Sequence, residues 1–210
     1  VTTCTDLDLF KPPPDRTEAL ANKPLTIGYV GNAGRGYQFD PVIEMYLAIR
    51  RLMPEARLKI VNRNDHELIK EKLRARGVNI GTIELIACDY QGVPAEILEM
   101  DLGLFFYEWR KTHVSSVPTR MGEFLACGVP CVSDVSGAGI VDILEKEGVG
   151  IALRALDEAS IEDAAVKAIR LTTSYQIKNK CIDVAHRYFS LEAGVATYER
   201  IYCMLEGTLE

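Results

Sequence analysis

The stretch Ser115–Asp134, SSVPTRMGEFLACGVPCVSD, decides how the chain is read. A small polar loop leads through Pro118 into a run whose apolar residues, Met121, Phe124 and Leu125, recur at helical spacing. Gly128-Val129-Pro130 breaks that run, and Cys131–Asp134 follows as a short strand. Thr119 is the expected N-cap, which leaves the N–H groups of Arg120 and Met121 at an open helix end where diphosphate oxygens fit. Glu123, one turn along, has two readings: an acceptor for the vicinal hydroxyls of a ribose, or an acid favoured by the helix dipole.

The same alternation extends outward. Leu25–Gly31, Ala56–Asn62, Thr82–Cys88 and Asp101–Tyr107 read as short apolar strands, and Gly150–Leu153 as a further one. Helices are expected over Asp40–Met53, ended by Pro54; from Asn64 or Asp65 to about Arg76, stopped by Gly77; over Val93–Met100; and near Ile140–Lys146. Three more close the chain, over Ser160–Thr172, Tyr175–Phe189 and Leu191–Leu205. In the last, Ser190 is the N-cap and Leu191, Val195, Tyr198, Tyr202 and Leu205 form one stripe. Alternating strands and helices predict an α/β, Rossmann-like three-layer αβα domain with a parallel sheet of about six strands. Ligands in such sheets sit at the carboxyl ends of the strands. The predicted organisation is a leader or linker over 1–24, marked by Pro12–Pro14, a domain over 25–189 and a terminal helix over 190–210.

Composition narrows the function classes. The 210 residues are 48% hydrophobic and 26% charged, an ordinary balance for a globular domain. The formal net charge of −6 argues against nucleic acid as a partner and confines anion binding to a local basic pocket. The six cysteines are scattered in apolar contexts and read as buried thiols; Cys127 and Cys131 lack the second ligand pair a zinc site needs. With no signal peptide and no apolar run of spanning length, the expected location is cytoplasmic.

Several segments stand at the expected carboxyl edge. Gly31, Gly34 and Gly36 punctuate GNAGRG (Gly31–Gly36), which is either a phosphate-approaching loop helped by Arg35 or a plain tight turn. Its spacing is neither the dinucleotide fingerprint nor a P-loop, which counts against a nicotinamide-dependent oxidoreductase. Arg63, in NRND after the second strand, is a second candidate anion clamp or a solvated charge. Cys88–Pro94, CDYQGVP, is a base-pocket edge or an ordinary loop. Arg110, Lys111 and His113 could steer an anion from the loop Glu108–Ser116, whereas His66 and His186 read as surface or structural residues. No nucleophile triad or hydrolytic carboxylate pair is present.

These residues together resemble the nucleotide-binding half of retaining group 1 (family 4) glycosyltransferases, which have the GT-B fold. The central segment is Pro118–Val132, PTRMGEFLACGVPCV; Cys4–Pro12 resembles the interdomain linker, Val93–Phe106 the helix and strand before the donor loop, and Tyr188–Leu205 the terminal helix that crosses to the other domain. The resemblance implies that Glu123 binds the ribose of a donor such as a UDP- or GDP-sugar. It implies that the amides of Thr119 and Arg120 contact the diphosphate, and that Gly31 and Gly34 lie near the phosphates. The family's other motif glutamate falls at Ser115, and Asn32 stands where the family commonly has Arg. By the same resemblance the chain corresponds to the C-terminal donor domain. The N-terminal acceptor domain is then a separate partner, through which any peripheral membrane association would run. No metal or other cofactor and no enzyme nucleophile are implied, and the isolated domain is expected to bind a nucleotide sugar without turning it over. The alternative is a non-catalytic interaction module of the same fold.

Overall fold

The computed structural model describes residues 3–13, 23–34, 36–108, 117–135 and 138–206. Strands β1 (Thr26–Val30), β2 (Arg57–Val61), β3 (Ile83–Ile86), β4 (Leu102–Phe105), β5 (Cys131–Asp134) and β6 (Gly150–Leu153) form one sheet in the order β3-β2-β1-β4-β5-β6. Every pairing is parallel. The helices between them are α1 (Asp40–Leu52), α2 (His66–Ala75), α3 (Val93–Leu98), α4 (Thr119–Ala126) and α5 (Ala138–Val141). After β6 come α6 (Glu158–Thr172), α7 (Ile177–Phe189) and α8 (Leu191–Leu205). A 3-10 turn at Ile80–Thr82 precedes β3, and α5 runs on into a π-helical turn at Asp142–Lys146.

Buried strands alternate their side chains between two apolar layers, and this makes the domain three layers thick. On one face Ile27, Tyr29, Leu58, Ile60 and Leu104 pack under α1, α2 and α6. On the other, Val30, Val61, Phe105 and Cys131 pack under α3, α4, the α5 turn and α7. Helix α4 lies close on β4 because Gly103 has no side chain: a Cβ there would sit 2.7 Å from the Phe124 ring. Phe124 is fully buried in that contact, which stabilises the packing by roughly 1.5–3 kcal/mol.

Lys59 is the exception within the sheet. It lies mid-strand in β2 on the α3 face, with 2% of its side chain exposed. Its ammonium contacts Glu96 (2.7 Å) and Glu99 from the α3 segment and Glu84 (3.1 Å) from β3. These three carboxylates approach within 4.8 Å of one another, so Lys59 supplies the positive charge that the cluster requires.

Residues 3–13 pack onto the domain. The Thr5 N–H donates to the Phe189 carbonyl (2.8 Å), Phe10 is fully buried, and the Thr3 hydroxyl donates to the Val117 carbonyl (2.9 Å) just ahead of α4. Helix α8 behaves differently. Ser190 caps it as expected, accepting from the Ala193 N–H (3.1 Å), but its stripe of Leu191, Val195, Tyr198, Tyr202 and Leu205 is exposed. The side of α8 that the domain buries is marked by Gly194. None of the six cysteines, all described, forms a disulfide. Among the described residues no helix is long and apolar enough to cross a membrane.

Candidate functional site

The strand order reverses direction between β1 and β4, the switch point at whose carboxyl edge sheets of this kind hold their ligands in a crevice. The first wall is the loop Gly31–Phe39 after β1. Gly31 and Gly36 have φ of 150° and 87°, backbone that a side chain would strain. The loop is tied down on both sides. Gln38 N–H donates to the Phe106 carbonyl (3.0 Å), its amide Nε2 to the Tyr107 carbonyl (2.8 Å), and Glu108 N–H to the Gly36 carbonyl (3.2 Å). From the other side, Asn62 Nδ2 donates to the Gly31 carbonyl (2.8 Å), and the Ala33 N–H donates to the Asp65 carboxylate (2.9 Å). Asp65 occupies the N-cap position of α2 but makes no capping bond there; its carboxylate braces the first loop instead. Asn62 Oδ1 accepts from the Asn64 (3.0 Å) and Asp65 (2.6 Å) N–H groups, which fixes that brace, and His66 contacts the Asn62 carbonyl (2.7 Å). The Ala33 amide is therefore engaged, so an anion at this loop would rely on its other amides. Gly34 faces open space, its carbonyl accepting from the Tyr37 N–H (3.2 Å).

The second wall is α4. Its N-cap is Pro118, not Thr119, because Pro118 keeps an extended backbone (φ −66°, ψ 133°) and Thr119 already has its place in the first helical turn. Proline has no side-chain acceptor, so no side chain caps this end. The Met121 N–H donates to the Pro118 carbonyl (3.0 Å) and its side chain is fully buried in the core. The leading amides of the helix are then those of Thr119 and Arg120.

Glu123 projects from the next turn and is 3% exposed. Burial pushes its carboxyl above the ordinary carboxylate range, and the Arg120 guanidinium opposes that shift. Arg120 Nη1 donates to Glu123 Oε2. The charge of Arg120 also reaches Tyr29 at the end of β1, Cys88 and Tyr90 after β3, and Tyr107 after β4. Burial pushes all four groups upward, so they stay neutral at ordinary pH. Arg120 therefore stands at the meeting point of three loops and α4. Tyr90 is half exposed, with its ring centroid 5.5 Å from that of Phe10. Asp134, at the end of β5, is felt at Tyr107.

Thr119, Arg120 and Glu123 thus lie together on α4, and the Arg120 charge reaches Tyr29, whose hydroxyl donates to the Asn32 carbonyl in the first loop. Arg63 is exposed, and its charge reaches the same Cys88 thiol. Arg35 and Ser115 lie outside the described residues, as do Arg110, Lys111 and His113. The bracing role of Asn62 and Asp65, the latter expected only as a candidate helix cap, and the tyrosines Tyr29, Tyr90 and Tyr107 were not read from sequence. The Asn-x-x-Asp spacing after β2 was the available signal for the first pair. A separate cavity of about 430 Å³ opens at the opposite, amino end of the sheet, lined in part by Leu25, Met53, Met100 and Pro130. Its walls are mainly apolar and its Lys23 is paired with Asp101 (2.9 Å), so it offers no comparable cluster for an anion.

No protein-family model matches the chain, and no curated protein sequence matches it. Solved structures do. Sucrose-phosphate synthase from Thermosynechococcus elongatus superposes with a TM-score of 0.73 at 16% identity, over 98% of this chain and 52% of the other. The lipopolysaccharide outer core galactosyltransferase WaaB matches with a TM-score of 0.67 at 17% identity, over 99% of this chain and 55% of the enzyme. Anabaena HepE, solved in complex with UDP, matches with a TM-score of 0.65 at 16% identity, over 97% of this chain and 56% of that protein. The chain spans about half the length of each. It therefore has the Rossmann-like α/β fold of half a GT-B glycosyltransferase, in keeping with the C-terminal half that its sequence resembles.

Proposed function

We propose that this chain is the donor-binding domain of a retaining glycosyltransferase that moves a sugar from a nucleoside diphosphate sugar, such as a UDP- or GDP-sugar, to a hydroxyl acceptor. The observation that carries the reading is Glu123. A carboxylate buried one turn into α4, at the switch point of a parallel sheet, accounts for its desolvation cost if it accepts hydrogen bonds from a ligand's vicinal hydroxyls. The amides of Thr119 and Arg120 and the helix dipole would hold the diphosphate and favour the charge growing on it as the sugar leaves. The loop of Gly31 and Gly34 would flank it, with Arg63, and Arg35 by resemblance, as further cations. HepE was solved as a UDP complex, which supports a uridine nucleotide as the first to try.

In this reading the acceptor site belongs to a second, N-terminal domain, which α8 would help to cover; its exposed apolar stripe supports that role. Residues 3–13 would then be the end of the interdomain linker, the metal-free chemistry of the resemblance would apply, and the enzyme would be cytoplasmic, with any membrane association through the other domain. The same stripe also favours the second reading, a partner-binding module of this fold without donor affinity. Calorimetric titration with UDP, GDP and ADP separates the two. The donor-domain reading expects micromolar-class binding of at least one, weakened by about 1.5–3 kcal/mol in Glu123→Ala. A folded wild-type chain that binds none of them refutes it.

A further inference from the structure

The geometry points to Arg120 as a positioning residue for Glu123: its guanidinium engages Oε2 and so aims Oε1 toward the vicinal hydroxyls of the bound nucleoside. This rests on the donor-domain reading and adds a role that neither the backbone of Arg120 nor the resemblance supplies. Three observations carry it. The two residues are one turn apart on α4, at an end with no side-chain cap, so their pairing is local and reproducible. Glu123 is buried whereas a quarter of the Arg120 side chain, 24%, remains exposed, so the pair is reachable from the crevice. Among the described residues Arg120 is also the sole hydrogen-bond donor to that carboxylate. A carboxylate has acceptor capacity on both oxygens, so Oε1 stays available when Oε2 is engaged.

The other groups that face Glu123 bring it no positive charge. Tyr90 approaches from the loop after β3 and Tyr107 from the segment after β4, and both phenols remain neutral. Without Arg120, burial alone would act on Glu123 and favour its protonated form. A protonated carboxyl has one fewer acceptor position and would lose the diol.

The test uses the 210-residue chain and the ratio of affinities for UDP and 2′-deoxy-UDP, and for GDP and its 2′-deoxy form. Within each pair the phosphates titrate alike and cancel. The wild type should prefer the ribonucleotide by about 10-fold or more at neutral pH. In Arg120→Met the preference should collapse toward unity at neutral pH and recover as the pH is raised. Arg120→Lys, which keeps the charge but not the planar fork, should fall between them. Circular dichroism checks that the variants fold, and the lysine variant carries the test if the methionine variant does not. A wild-type preference that survives in the folded Arg120 variants at every pH overturns this inference alone, provided Glu123→Ala abolishes it. If the wild type binds neither pair, or Glu123→Ala keeps the preference, the donor-domain reading fails and this inference with it.

Discussion

Replacing Lys59 with Met removes one positive charge and almost no volume, because methionine follows the same stem through the core. Three carboxylates are left behind, Glu84, Glu96 and Glu99, all within 4.8 Å of one another. Their side chains are 53%, 24% and 67% exposed, so they rehydrate rather than remain in a dry interior. The glutamates repel one another with or without Lys59, so the change comes from the attraction it supplies: even under the strong screening of bulk water, contacts such as those at 2.7 and 3.1 Å are worth about 1.4 kcal/mol each, or about 4 kcal/mol for the three. Relief of the desolvated ammonium subtracts part of this. The expected net destabilisation is therefore about 2–3 kcal/mol at neutral pH. Lys59 is held charged because the three glutamates more than offset its burial. Urea denaturation at neutral pH measures the loss. A variant within about 0.5 kcal/mol of the wild type refutes the account of this cluster.

The buried Glu123 should cost the chain stability. Its folded-state carboxyl is pushed above the unfolded value, so the native state binds more protons in that window and stability falls as pH rises through it. Glu123→Gln should accordingly be more stable than the wild type at neutral pH and not at pH 4, while losing ribonucleotide affinity; paired urea and calorimetric titrations check both signs. Gly103→Ala places a Cβ 2.7 Å from the rigid Phe124 ring, so α4 must move off β4. That overpacking should cost about 1–3 kcal/mol in urea denaturation and weaken nucleotide binding as well, since α4 carries the site.

The uncapped start of α4 shows where local reading ends. From sequence, Thr119 is a good N-cap residue, yet Pro118 holds that position. Proline's fixed φ suits the extended entry to the helix, and a capping rule based on side-chain acceptors does not see it. Arg120 and Glu123 are three apart, so their pairing was open to the sequence, but a helix surface allows such residues to turn to solvent just as well. Burial of the carboxylate at the crevice is what draws the guanidinium back onto it. Asp65 is a similar case. It stands where a helix cap belongs, and the return of the first loop to within reach of its carboxylate redirects that bond to Ala33.

Element order and type, and the parallel sheet, were determined by sequence alone, because apolar periodicity and Gly/Pro stops act over a few residues at a time. Strand order was not, since nothing in a strand's own residues names its neighbour. The same holds for Lys59: a lysine mid-strand carries no local mark of its partners, and only the pairing of β2 with β3 under α3 brings residues 84, 96 and 99 to it. The outward stripe of α8 was visible as a stripe, but which way it faces was set by the packing of Gly194 against Cys4, where a Cβ would stand 2.4 Å from the sulfur. Local patterns select elements because each residue biases its own backbone; contacts between elements depend on the whole chain's closure, and only tertiary structure carries that.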